Sequence, residues 1–166
     1  MRVNKMSIQN SSGKQEELIE QMTNLLKEHP VVRSLFRRFE IDPEHIHRIQ
    51  ISFGDIGVSA KADDNGIVIN KKFLEDGNLV DDLHYIVHEL VHVLQNLTGF
   101  VDRAKKYKFK HYLDNPLELQ AFKEQIRFIR EYKGDKAADK YLCDLLDFHD
   151  ITGDKRNVKE CILRGR

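Results

Sequence analysis

Two histidines four residues apart, with a glutamate beside the first, are the residues of this chain best suited to chemistry. His88, Glu89 and His92 stand in the stretch His88-Glu89-Leu90-Val91-His92, within an apolar-periodic run over residues 79–97. On an α-helix, positions 88 and 92 are one turn apart and project from the same face, so both imidazoles can hold one metal ion. Glu89 is turned about 100° from His88, which lets its carboxylate reach a metal-bound water without itself ligating. Two nitrogens on a zinc ion, with a carboxylate that takes a proton from its water, is the arrangement of a zinc hydrolase.

The plainer alternative is a helix whose histidines lie at the surface or bond to neighbours. The surroundings argue against it. Val80, Leu83, Ile86, Val87, Leu90, Leu94 and Leu97 form a wide apolar face that Val91 and Val93 extend. Such a helix is largely buried, and two histidines and a glutamate within it need partners.

A catalytic zinc usually takes three protein ligands and leaves one position for water. The best third ligand is Glu118, in Asn115-Pro116-Leu117-Glu118-Leu119-Gln120-Ala121. A second role suits the same residue. With Asn115 as helix cap, Glu118 falls at the third helical position, where a carboxylate can bond back to the cap's amide. However, Glu118 heads a stripe with Phe122, Gln125, Ile126 and Ile129 that faces the interior. A carboxylate buried there without a partner would be costly, and ligation supplies that partner.

The elements that must position these residues follow from periodicity. Ser12 and Gln15 read as a capping box opening an amphipathic helix over residues 14–29, which Pro30 ends. A shorter helix is expected over 31–39, and Asp42-Pro43 marks a brief turn. Period-2 alternation then appears at Ile49, Ile51 and Phe53, and again at Ile56, Val58, Ala60 and Ala62. Asn65-Gly66 signals a hairpin into a third strand over 67–70. The motif helix is expected over 79–98, stopped by Gly99. Residues 100–114 show no periodicity and read as a long loop. Helices are expected over 116–133 and again after Asp135, with a last one around 157–163 in a charged tail. The order predicts an α+β fold in which a small antiparallel sheet of about three strands packs on the HExxH helix, flanked by N- and C-terminal helices. At 166 residues this is one domain. Its parts are N-terminal helices (1–45), a catalytic core (46–133) and a C-terminal helical segment (134–166).

These residues resemble the gluzincin-type zinc metallopeptidases, with HExxH on one helix and a metal-binding glutamate on a later one. The likeness is greatest to small single-domain bacterial and phage members, whose Pro-x-Glu-x-x-Ala pattern matches Pro116, Glu118 and Ala121. It spans roughly residues 49–129 and is specific only at His88, Glu89, His92 and Glu118. The resemblance implies a metallopeptidase with His88, His92 and Glu118 on Zn2+ and Glu89 as general base. It also implies a sheet edge, placed at 67–70, that holds extended substrate. Larger members carry an aspartate just after the ligand glutamate to orient a histidine. Here Ala121 and Phe122 stand there, so the histidines must be oriented from elsewhere.

Lesser candidates surround the motif. His84, one turn before His88, suits a supporting donor or an ordinary helix residue. His111, Tyr112 and, more remotely, His149 could donate to an oxyanion, or simply pack in their loops. Residues 103–110 are basic with interleaved aromatics, a pattern that can contact nucleic acid. With 27 basic and 27 acidic residues the net charge is zero, which argues for a solvated loop instead. Cys143 and Cys161 form no CxxC pair and no disulfide framework. No 18-residue apolar run and no apolar N-terminal segment is present, so a cytoplasmic chain without membrane or nucleic-acid partners is expected. The expected function is zinc-dependent hydrolysis of a peptide or protein substrate by a monomer or small homo-oligomer. Two alternatives stand beside it. One is a phage or mobile-element regulatory protein that binds or cleaves a single partner. The other is a non-enzymatic domain whose structural zinc has its fourth position filled by His84, His111 or a cysteine.

Overall fold

The computed structural model describes residues 6–63, 66–76, 81–100 and 108–165. Helix α1 (Met6–Glu28) starts before the expected cap, so Ser12 and Gln15 lie inside it rather than opening it. Pro30 begins α2 (Pro30–Arg38), where the missing amide of proline costs no helical bond, and the His29 imidazole accepts the Val31 N–H at 3.3 Å. Asp42 caps a 3₁₀ turn (Pro43–Arg48) by accepting the Glu44 N–H at 2.9 Å. This turn delivers the chain to the sheet.

The sheet corrects the expectation of antiparallel pairing. Strands β1 (Gln50–Gly54), β2 (Ala60–Asp63) and β3 (Gly66–Asn70) are ordered β1-β3-β2. β3 runs antiparallel to β2 but parallel to β1, so the sheet is mixed. Residues 67–70 therefore form the centre, not the edge. The physical reason is visible in side-chain character. Ile67, Val68 and Ile69 are apolar in succession and largely buried, as suits a strand covered on both faces, whereas the alternating β1 and β2 suit edges. Gly66 is required at the start of β3. Its φ is +147°, and a Cβ there would lie 1.9 Å from the Gln50 carbonyl oxygen of the paired strand.

After β3 come a short helix not foreseen from sequence, α3 (Lys72–Asp76), and the motif helix α4 (Leu83–Leu97). α4 begins at Leu83 after a turn at residues 81–82, later than expected, and Leu97 is exposed rather than part of its apolar face. Leu79 and Val80 lie outside the described residues. A 3₁₀ turn (Tyr112–Asp114) precedes α5 (Pro116–Lys133), then α6 (Asp135–Phe148) and α7 (Gly153–Arg164). Asp135 is the first residue of α6 rather than its cap, and α7 extends beyond the expected range at both ends.

Two apolar clusters hold these elements together. The first joins Met22, Leu35 and Phe36 to Ile67 and Ile69 of the sheet and to Ile86, Val87, Leu90 and Leu94 of α4. The second joins Leu113, Leu142, Leu146 and Leu163. α5 serves both: Ala121 and Phe128 enter the first, and Phe122, Ile126 and Ile129 the second. Helical packing of α5 against α4 thus fixes where Glu118 sits relative to the histidines. The fold is α+β, mostly helical, with a small mixed sheet. No helix among the described residues is long and apolar enough to cross a membrane.

Candidate metal centre

His88 and His92 project from one face of α4, and their Nε2 atoms lie 3.2 Å apart. Glu118, on the first turn of α5, brings Oε2 to 3.4 Å from His88 Nε2 and 3.3 Å from His92 Nε2. Among the described residues these three form the one group able to hold a metal ion. Their spacing fits such an ion. Tetrahedral donors at roughly 2.0–2.1 Å from a common centre stand about 3.3 Å from one another.

The cap role expected as an alternative for Glu118 falls to other atoms. Asn115 Oδ1 accepts the Leu117 N–H at 3.0 Å, and the Asn115 amide donates to the Tyr112 carbonyl at 3.2 Å. The Glu118 carboxylate turns instead toward the histidines and accepts the Tyr112 hydroxyl at 2.6 Å.

Each histidine is oriented from behind by an amide rather than a carboxylate. His92 Nδ1 meets Gln95 Oε1 at 2.8 Å. Gln95 Nε2 donates to the Leu117 carbonyl at 3.1 Å and to Gln120 Oε1 at 2.9 Å, which fixes the amide with its oxygen toward His92. His88 Nδ1 meets Gln125 Oε1 at 3.0 Å, and Gln125 Nε2 lies 2.8 Å from His84 Nδ1. The amide oxygens take Nδ1 of each ring, which leaves both Nε2 atoms turned toward Glu118. Gln95, fully buried, was not foreseen. The available signal was an amide three residues after His92 in an otherwise apolar helix.

Burial dominates the electrostatics, and the charges within the site then decide each direction. For Glu118, burial raises the pKa, but hydrogen bonds from His88, His92 and Tyr112 together hold it well below the carboxylate range. For His92, burial lowers it, and the bond and charge of Glu118, with Gln95 and Glu89, carry it above the ordinary value. In the metal-free protein these two directions favour a charged His92 beside an ionised Glu118. Burial pushes the Glu89 carboxyl up, against His88, the Ala62 amide and His92, which pull it down.

Glu89 is tied to the sheet. Its Oε2 accepts the Ala62 N–H at 2.7 Å. The Asn70 amide donates to the Ser59 carbonyl at 2.9 Å, so residues 59, 61 and 63 turn their amides toward β3. By alternation Ala60 and Ala62 turn theirs away, toward α4. The edge beside the site is therefore β2. Asn70 also donates its side-chain amide to the carbonyls of Ile56 and Val58, at 2.6 and 3.0 Å, pinning residues 56–59 as one rim of the cleft.

A cleft of about 1040 Å³ opens over the three donors, between residues 56–61 and the end of α6. Among the lesser candidates, Tyr112 and His149 line it, their rings stacked at 5.3 Å. His111 is exposed and does not line it. His84 is buried behind His88 and serves Gln125, not the donor group. Cys143 and Cys161 are not joined in a disulfide and lie outside the donor group. Of the basic loop, residues 103–107 lie outside the described residues, and 108–110 are exposed. Comparisons of the chain with protein-family profiles, curated proteins and solved structures find no match.

Proposed function

We propose that the protein is a zinc-dependent peptidase in which His88, His92 and Glu118 hold the ion and Glu89 is the general base. The observation that carries this reading is the spacing of the three donor atoms, 3.2, 3.3 and 3.4 Å, which suits a tetrahedral ion with one position left over. When bound, the ion supplies a Lewis acid that acidifies water and polarises a carbonyl. The remaining steps belong to the chain. Glu89, fixed through Oε2 by the Ala62 amide, offers its other oxygen to take a proton from water and then deliver it to the leaving amine. The outward-turned backbone of β2 can align an extended peptide beside Glu89. A structural-zinc reading would need a fourth protein ligand, and the described residues group only three.

The test is to incubate the zinc-loaded protein with a peptide mixture and read cleavage by mass spectrometry. Glu89→Gln is expected to keep its zinc and lose about 10²–10⁴-fold in rate. Full cleavage by Glu89→Gln, or none by a wild type proven to carry zinc, would overturn the reading.

A further inference from the structure

Resting on the metal centre of the peptidase reading, we propose that α7, which supplies none of the three donors, positions one of them. Lys159 fastens the turn that carries Tyr112, and that turn keeps Glu118 a ligand rather than a helix cap. The Lys159 side chain is only 14% exposed. Its ammonium donates to the Leu113 carbonyl at 2.8 Å and lies 2.9 Å from Asp114 Oδ1. Two acceptors, one of them charged, hold such a group in one place. Leu163, one turn further along α7, is buried in the same apolar cluster as Leu113. α7 thus grips both the backbone and a side chain of the 112–114 turn.

The turn acts on Glu118 in two ways. The Tyr112 hydroxyl donates at 2.6 Å to Glu118 Oε2, the same oxygen that lies 3.3 and 3.4 Å from the histidine Nε2 atoms. The Tyr112 carbonyl accepts the Asn115 N–H at 3.2 Å. In a capping box, a carboxylate at the third helical position bonds back to that same amide, so its occupation closes the cap role to Glu118. Tyr112 is 50% exposed, and its aim depends on the backbone that carries it and on the His149 ring stacked at 5.3 Å. His149 ends α6, so both of these supports come from the C-terminal segment. A turn released from Lys159 would free the Asn115 amide and let the carboxylate swing to it, away from the histidines.

The test is zinc affinity by chelator competition, with melting of the metal-free and zinc-saturated forms. It compares wild type, Lys159→Met, Lys159→Arg, Tyr112→Phe and the Lys159→Met/Tyr112→Phe double variant. Met keeps the apolar stem and removes both bonds, whereas Arg restores a cation with several donors. Lys159→Met and Tyr112→Phe are each expected to weaken zinc about 10-fold, as loss of a partner behind a ligand does, and Lys159→Arg to recover most of that loss. Because both act on one carboxylate, the double variant should lose less than the product of the single losses. A merely structural Lys159 would lower both melting temperatures together and leave the zinc-induced rise unchanged. Wild-type affinity in Lys159→Met, a fully multiplicative double variant, an Arg variant no better than Met, or a Lys159→Met chain that does not fold without zinc would overturn the positioning role. A wild type that binds no zinc would instead overturn the metal centre, and the positioning role with it.

Discussion

Replacing Glu118 by Gln separates ligation from every other role of that residue. Gln keeps the side-chain length and an oxygen for the Tyr112 hydroxyl, now 2.6 Å from the carboxylate, and leaves the Asn115 cap untouched. It removes the charge from an atom 3.3–3.4 Å from both histidine nitrogens. Zinc sites release roughly 10–16 kcal/mol over four ligands, so one protein ligand is worth about 2.5–4 kcal/mol, or about 10²–10³ in affinity. At a zinc concentration about 1,000 times the wild-type Kd, metal stabilises the fold by about 4.1 kcal/mol; a 100-fold weaker site leaves about 1.4. At roughly 2–4 °C per kcal/mol for a chain of this size, the zinc-induced rise in Tm should shrink by about 5–11 °C. Chelator competition gives the affinity and scanning calorimetry the two melting curves. Asn115→Ala is the control for the cap: it should cost about 0.5–2 kcal/mol with or without zinc and leave affinity intact. Wild-type zinc affinity in Glu118→Gln would refute the assignment of Glu118 as third ligand.

Two further outcomes test the frame around the site. Gly66→Ala must place a Cβ 1.9 Å from the Gln50 carbonyl oxygen at a φ of +147°, so it should lose at least about 1–3 kcal/mol from backbone strain alone, read as a lower denaturation midpoint; an unchanged midpoint would contradict the β1–β3 register. His84 is held neutral, its pKa lowered to about 4, by burial first and then by Lys133 and His88. The unfolded chain takes up a proton near pH 6.5 that the folded one refuses, so stability is full above that pH and declines as pH falls toward 4, by about 3 kcal/mol in total. Metal-free His84→Asn, which keeps an acceptor for Gln125 but does not titrate, should lose correspondingly less than wild type over that window; equal pH profiles would show that His84 is not buried neutral.

What the sequence made legible, and what it did not, divides along the range of the interactions. The histidine pair and Glu89 are set by helical spacing within one turn, and Glu118 by its position after Asn115-Pro116, both local signals. The helix over 116–133 likewise carries its start signal, Asn115-Pro116, within a few residues, whereas Pro30, read as the end of the first helix, is also the first residue of the second. The parallel pairing of β1 with β3 left no such mark. Alternation reports which face of a strand is buried but not which strand lies beside it, and the insertion of β3 between β1 and β2 is a non-local choice. The Ala62 amide that holds Glu89 is backbone and has no side-chain signature at all. Gln95 and Gln125 were readable as polar residues in apolar surroundings, yet their pairing with particular histidines depends on how α4 and α5 pack. Nothing local marks Tyr141 and Leu145 as a cleft wall; the packing of α6 against α5 makes them one.

The most direct measurement is X-ray absorption at the zinc edge on the purified, zinc-saturated protein, with metal content determined on the same sample. One zinc per chain, two imidazole nitrogens and oxygen donors at about 2.0–2.2 Å, and no sulfur near about 2.3 Å are expected from His88, His92 and Glu118 with one position outside the protein. A sulfur shell, a third imidazole, or no bound metal after saturation would contradict the metal centre and everything built on it.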